Sequence, residues 1–223
     1  MADAIGICPP SEPPDRTAMF EFIAEALTRD GYAILPNAID PALGDALFAR
    51  LGRLDADAFK PAGIGRAQDE MLNTFVRRDE IRWLEREDEA ERQWLEWVDD
   101  LREFMNRRLF LGLFSYEGHF AHYAPGAFYK RHVDAFRGQA NRVLTTVLYL
   151  NHDWQPTDGG QMVLYPESGD GEIARIEPAM GTLAVFLSEE FPHEVLPANR
   201  DRFSIAGWYR VNTSTADRPD PPR

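Results

Sequence analysis

His132 and Asp134 are separated only by Val133, at the end of the run GHFAHYAPGAFYKRHVD. Residues two apart on an extended strand point to the same face, so an imidazole and a carboxylate would project side by side. A second imidazole would complete a facial set of two nitrogens and one oxygen. Such a set leaves coordination positions open and suits non-haem Fe(II). His-x-Asp is short, however, and a surface strand with a polar face satisfies the same pattern. The third ligand must come from the other histidines, His119, His122, His152 and His193. His193 is the best candidate, lying late in the strand region in FPHEVLPANRDRFSIAGWYR. His119 and His122 read as structural. His152, in a loop with Asp153 and Trp154, reads as solvent-facing.

Nine residues beyond His193, Arg202 opens the last apolar run. On a strand, Arg202, Ser204, Ala206 and Trp208 share one face, and Phe203, Ile205, Gly207 and Tyr209 the other. A cation, a hydroxyl, a small residue and an indole on one face describe a lined pocket better than a plain core. A lone arginine is usually a surface cation. Beside a metal site, a guanidinium offers the bidentate grip that a dicarboxylate cosubstrate needs. Asp134 could be a strand-edge charge, but a carboxylate is expensive to bury without partners. Gly159-Gly160 reads as a turn that shapes the pocket wall.

Three helices precede these residues. In AMFEFIAEALTRDGY, from Thr17, Met19, Phe20, Ile23, Ala26 and Leu27 recur at helical spacing and Gly31 caps the end. A short strand, YAILPNAI, follows. A second helix starts near Pro41 with Leu43, Leu47, Phe48 and Leu51 on one face. Residues 58–85 read as a hairpin or extended finger. From Glu87 to Leu109 runs an amphipathic helix whose stripe of Trp94, Trp97, Val98, Leu101, Phe104 and Met105 is core packing. The period then changes from helix to strand. GHFAHYA, FYKRHVD, VLTTVLYL, QMVLYPE, EIARI, GTLAVFLS, HEVLPA and RFSIAGWYRV are short, apolar and separated by turn residues. Eight such strands in roughly ninety residues predict a jelly roll. The expected architecture is β-rich α+β: one domain over 17–211, with the jelly-roll core over about 115–211 and the N-terminal helices as support. Residues 1–16 are expected to be a disordered leader and 212–223 a disordered tail.

A chain of 223 residues with net charge −13 lacks the clustered cations that nucleic acid or anionic membrane would need. The single cysteine, Cys8, allows no intrachain disulfide, and no run approaches the length of a membrane span. The N-terminus has neither the basic start nor the apolar run of a secretory signal. A cytoplasmic location is expected.

His132-Val133-Asp134, the distal His193 and Arg202 beyond it resemble the iron- and 2-oxoglutarate-dependent dioxygenases. Within these, the sequence most resembles the prolyl hydroxylases of the hypoxia-inducible-factor type and their bacterial relatives. The matching text is YAPGAFYKRHVD, VLYLNHDW, Gly159-Gly160 before QMVLYPE, IEPAMGTLAVFLS, PHEVLPA and RFSIAGWY, within about residues 58–210. AGIGR and RRDEIRWLE resemble the finger that folds over substrate in that group, with Ile64 and Arg66 as substrate contacts.

The resemblance implies a double-stranded β-helix with Fe(II) held by His132, Asp134 and His193. It implies 2-oxoglutarate chelating that iron, its distal carboxylate on Arg202 and Tyr149, with Tyr129 and Trp208 lining the pocket. Tyr123 and Arg142 fall near positions that face substrate in relatives. Ala206 stands where a threonine is often found. O2 would be the co-oxidant and ascorbate an accessory reductant. The implied reaction is peptidyl-proline 4-hydroxylation with release of succinate and CO2. The implied partner is a protein with a target proline, by analogy a translation factor such as elongation factor Tu. Two other readings stand beside it: hydroxylation of a free amino acid or small molecule, and a catalytically silent jelly-roll binding module.

Overall fold

The computed structural model describes residues 15–62, 76–135 and 141–212. Expectations that fall on residues 1–14, 63–75 and 213–223, including Ile64 and Arg66, lie outside the described residues. Helix α1 (Arg16–Asp30) buries Met19, Phe20, Ile23, Ala24, Ala26 and Leu27 and ends at Gly31. Gly31 has φ 80°, and a Cβ there would fall 2.8 Å from the Phe191 ring, so both backbone and packing require glycine. Helix α2 (Pro41–Leu51) is capped by the Asp40 carboxylate, which accepts from the Ala42 amide at 2.8 Å. Helix α3 (Glu89–Leu109) is capped by Asp88, with acidic residues in its first turn and Arg107 and Arg108 in its last.

Among the described residues, eleven strands form two antiparallel sheets. The larger runs β1 (Tyr32–Leu35), β9 (Leu183–Leu187), β6 (Arg142–Tyr149), β11 (Arg202–Val211), β4 (Leu113–Tyr123), β3 (Glu80–Trp83) and β2 (Lys60–Pro61). The smaller runs β5 (Tyr129–His132), β10 (His193–Val195), β7 (Met162–Leu164) and β8 (Ala174–Ile176). The eight strands β4–β11 divide four and four between the sheets as a double-stranded β-helix, and all eight correspond to expected runs.

Period-two alternation sorts the large sheet's side chains. Leu144, Leu148, Leu183, Val185, Ile205 and Tyr209 join the helices in one core. Val147, Tyr149, Ala184 and Phe186 face Met162, Leu164 and Ile176 of the small sheet in another. The tryptophan stripe of α3 packs as expected, with Trp94 and Trp97 stacked at 5.1 Å and Tyr209 donating to the Val98 carbonyl at 2.7 Å.

The structure adds to one point of this architecture and corrects another. β1, β2 and β3, which precede the eight jelly-roll strands, extend the large sheet. Strand β1 covers the edge of β9 (Tyr32↔Phe186), and β3 pairs with β4, which closes edges that would otherwise be open for pairing. The β2–β3 pairing gives the base of the expected hairpin. In α2 the buried residues are Gly44, Leu47 and Leu51. Phe48, one position round from Leu47, turns to the flank, where its ring meets His152 edge-on at 5.0 Å. Among the described residues no helix is long and apolar enough to cross a membrane.

The wholly buried Glu91 ties these layers together. Its carboxylate takes Arg50 of α2 at 2.8 Å, Arg82 of β3, and the Glu85 amide at 2.8 Å. Removing it would leave two arginines short of an anion, one of them buried. Glu91→Ala should therefore cost about 3 kcal/mol, the low end for breaking a buried pair, because Asp88 and Glu85 remain. The expected readout is a lower urea midpoint at unchanged slope.

Candidate functional site

The two histidines meet across a strand pair. β10 pairs with β5 so that His193 stands directly opposite His132, with ring centroids 4.3 Å apart. His132 Nδ1 lies 2.8 Å from the Lys130 carbonyl and His193 Nδ1 3.0 Å from the Phe191 carbonyl. A carbonyl only accepts, so each Nδ1 carries the proton and each Nε2 keeps its lone pair for a metal. The Nε2 atoms lie 3.6 Å and 3.7 Å from Oδ1 and Oδ2 of Asp134. Among the described residues this is the one group of three whose ligand atoms all come within 4.8 Å of one another.

The reason for the convergence differs from the expected one. β5 stops at His132, and Asp134 sits in the bend beyond it rather than two along a strand. The chain turns there, and Thr145 of β6 holds the carboxylate by donating to Oδ2 at 2.8 Å. Burial pushes Asp134 towards protonation, but the charges that His193 and His132 carry when doubly protonated outweigh it and hold the carboxyl well below its usual range. Burial lowers His193 from 6.5 to about 4, which keeps it neutral and able to ligate. Tyr129 stacks on His132 at 3.5 Å, and the Arg77 guanidinium, paired with Asp79, lies 4.4 Å from the same Tyr129 ring.

Deeper in the barrel, Arg202 is 1% exposed yet has no carboxylate within ion-pair distance among the described residues. Its Nε donates to the Gly160 carbonyl at 2.8 Å. Its guanidinium carbon lies 4.9 Å from the Tyr123 ring and 5.0 Å from the Tyr149 ring. Neither Arg202 Nη2 nor Tyr149 Oη makes a hydrogen bond of ordinary geometry there. A buried cation and a buried phenol left this way are costly, and an entering carboxylate would satisfy both. Burial pushes Tyr149 up to about 12 against the pull of Arg202, so it remains a donor. Gly160 has φ 69°, and a Cβ there would fall 3.1 Å from Arg202 Cδ and 2.9 Å from Ala198 Cβ. The glycine pair thus does more than shape the wall, because Gly160 holds the arginine.

Of the two residues expected to face substrate, Tyr123 is buried beneath Arg202 on the inner wall. Arg142 lies 3.7 Å over Trp208 and is bound to Glu117 at 2.7 Å. The Trp208 indole N–H is buried without a partner among the described residues. Ala206 lies between them on β11, opposite Val147 and His119. His119 is buried between Trp83 and Trp208, His122 binds Asp201 at 2.7 Å, and His152 lies 3.3 Å from Asp45. None of these three belongs to the metal cluster.

Sequence reasoning missed Thr145, Ser188, Asn151 and Glu117. The amide of Asn151 donates to the Phe203 carbonyl at 2.9 Å and accepts from the Phe203 amide at 2.7 Å, fixing the strand beside Arg202. Thr145 shares the inner face of β6 with Val147 and Tyr149, so a hydroxyl on an apolar inward face was its available signal. For Ser188 there was none.

Two sheets, an open-sided triad and a buried arginine awaiting an anion define the class: a non-haem iron oxygenase that uses 2-oxoglutarate. Residues 118–210 match the family model of the 2OG-Fe(II) oxygenase superfamily. A Pseudomonas putida prolyl-4-hydroxylase is 41% identical, with a TM-score of 0.79, 86% of this chain and 99% of that one being covered. A Trichoplax adhaerens prolyl hydroxylase, solved with a peptide fragment of the hypoxia-inducible factor oxygen degradation domain, is 26% identical. Its TM-score is 0.75, covering 87% of this chain and 90% of that one. Human Egl nine homolog 1 is 28% identical over 199 residues, which cover 85% of this chain and 46% of that protein. This chain thus spans under half of that human relative. The chain belongs to the 2OG-Fe(II) oxygenase superfamily, in its prolyl hydroxylase branch, and is a 2-oxoglutarate/Fe(II)-dependent dioxygenase.

Burial lowers His119 from its ordinary 6.5 to about 4. As pH falls, the unfolded chain takes that proton first. The stability His119 contributes is therefore full above about 6.5 and is lost progressively down to about 4. In denaturant titrations of the metal-free protein, His119→Gln should remove up to about 3 kcal/mol of the stability lost across that window.

Proposed function

We propose that this enzyme hydroxylates C4 of a prolyl residue in a polypeptide, releasing succinate and CO2. The observation that carries the reading is the triad backed by an anion-seeking Arg202, in a chain 41% identical to a prolyl-4-hydroxylase along 99% of its length. Residues 17–211 would act as one catalytic domain. The lone cysteine supports work in the cytoplasm.

His132, Asp134 and His193 would hold Fe(II), since two neutral imidazole lone pairs and a carboxylate suit that ion. Bound Fe(II) and 2-oxoglutarate supply the oxidising chemistry, in which one atom of O2 enters the substrate C–H bond and the other enters succinate. The protein's share is placement. Arg202 and Tyr149 would take the far carboxylate of 2-oxoglutarate and so set its reach toward the triad. Tyr129 braces His132, while Phe186, against His193 at 4.9 Å, keeps water from that side. Trp208, with Arg142 across its face, forms a wall whose buried N–H can donate to a substrate carbonyl.

Succinate release should be measured anaerobically loaded and then aerated, with prolyl peptides, with elongation factor Tu, and with free proline. Mass spectrometry should locate the added oxygen on a peptide proline. Oxidation confined to free proline, or to another residue type, would overturn the reading. Asp134→Ala should abolish coupled turnover. Arg202→Ala removes a desolvated charge pair worth roughly 2 kcal/mol or more, and should raise the apparent KM for 2-oxoglutarate at least about thirty-fold. Iron affinity should barely change.

A further inference from the structure

Asp134 is held from behind by two hydroxyls. Thr145 Oγ1 lies 2.8 Å from Asp134 Oδ2, and Ser188 Oγ lies 2.9 Å from the same Thr145 Oγ1. Both residues are buried. Each hydroxyl has one proton, and an ionised carboxylate only accepts. Thr145 therefore gives its proton to Oδ2, and Ser188 must donate to Thr145. The relay runs one way, from Ser188 through Thr145 to Asp134, each bond polarising the next. It ends on Oδ2, which also lies 3.7 Å from His193 Nε2, while Oδ1, 3.6 Å from His132 Nε2, takes no part in the relay.

We infer that the Ser188–Thr145 relay reserves Oδ2, so that Asp134 meets the metal through Oδ1 alone. The consequence is a matter of counting positions. Two imidazoles and one carboxylate oxygen would leave a bound Fe(II) with room for a chelating 2-oxo acid and for O2. A carboxylate free to rock into two-oxygen binding would compete for that room. Thr145 and Ser188 are on this account positioning residues that keep the oxygen position open, and they touch neither substrate nor metal. The inference rests on the iron and 2-oxoglutarate reading above.

The test uses the full chain carrying Thr145→Val, which keeps the shape and removes the hydroxyl, with Thr145→Ser as rescue. Ser188→Ala removes only the outer donor. The readouts are the electron paramagnetic resonance spectrum of bound Mn(II), affinity for 2-oxoglutarate from the visible charge-transfer band of the Fe(II) form, apparent KM for O2, and thermal unfolding. Losses of partners behind a metal ligand cost roughly 10- to 100-fold in metal affinity or activity, and Thr145→Val should produce a clear rise in the KM for O2. It should also alter the Mn(II) spectrum while 2-oxoglutarate affinity stays parental. Thr145→Ser should restore both, and Ser188→Ala should shift both less, in the same direction. A parental KM for O2 and Mn(II) spectrum in Thr145→Val would overturn the inference, as would failure of Thr145→Ser to rescue. If Thr145→Val does not fold, a Ser188→Ala protein with parental values overturns it equally. Asp134→Ala separates the two levels: if it still binds Mn(II) like the parent, the metal assignment itself fails, whatever the relay variants show.

Discussion

The antiparallel pairing of β10 with β5 puts His193 opposite His132, and the rest of the centre depends on that register. Because side chains alternate with period two, a slip of one residue would turn His193 to the other face and dismantle the triad. Strands of four and three residues have few ladder bonds with which to resist such a slip. The register is reinforced from two directions. β7 pairs with the other edge of β10, setting Leu164 against His193. The core between the sheets, built on Phe186, Leu164, Met162 and Ile176, fixes which side chains point inward. The metal centre is thus a by-product of apolar packing between the two sheets.

Two buried charges of opposite sign mark the ends of the reaction space. Asp134 accepts from the Thr145 hydroxyl, so its charge has a fixed donor before any ligand arrives. Arg202 is treated differently, with one carbonyl, two aromatic faces and a donor left over. The first arrangement suits a permanent ligand set, the second a cosubstrate that comes and goes. The supports differ in the same way. Gly160 and Asn151 restrain the backbone around the arginine, while Thr145 and Ser188 restrain the orientation of the carboxylate itself.

The helices contribute rigidity rather than chemistry. α3 lays its tryptophan stripe behind the large sheet, and Glu91 at its start joins α2 and β3 through two arginines, one of them buried. β3 in turn lies beside β4, and Arg77, just before it and paired with Asp79, reaches the Tyr129 ring that stacks on His132. A continuous set of contacts therefore runs from the helical layer to a metal ligand.

Much of this was legible in the sequence because the signals are local. Alternating apolar runs specified the eight core strands, and helical spacing with Pro41, Gly31 and the tryptophan stripe specified the helices. His132, Asp134, His193 and Arg202 stood out because their chemistry is rare in an apolar strand region. Ser204, Ala206 and Trp208 followed from their period-two spacing with Arg202. What the sequence could not supply was any relation between elements far apart in the chain. The pairing of β1 and β3 with the core sheet, the bend that carries Asp134 off the strand, the burial of Tyr123 under Arg202 and the hydroxyl relay behind Asp134 depend on how sheets register and pack. Thr145 and Ser188 are 43 residues apart and carry no motif. Periodicity and residue chemistry act over a few neighbours, whereas a 2.8 Å hydrogen bond to one carboxylate oxygen is decided by the position of every strand around it.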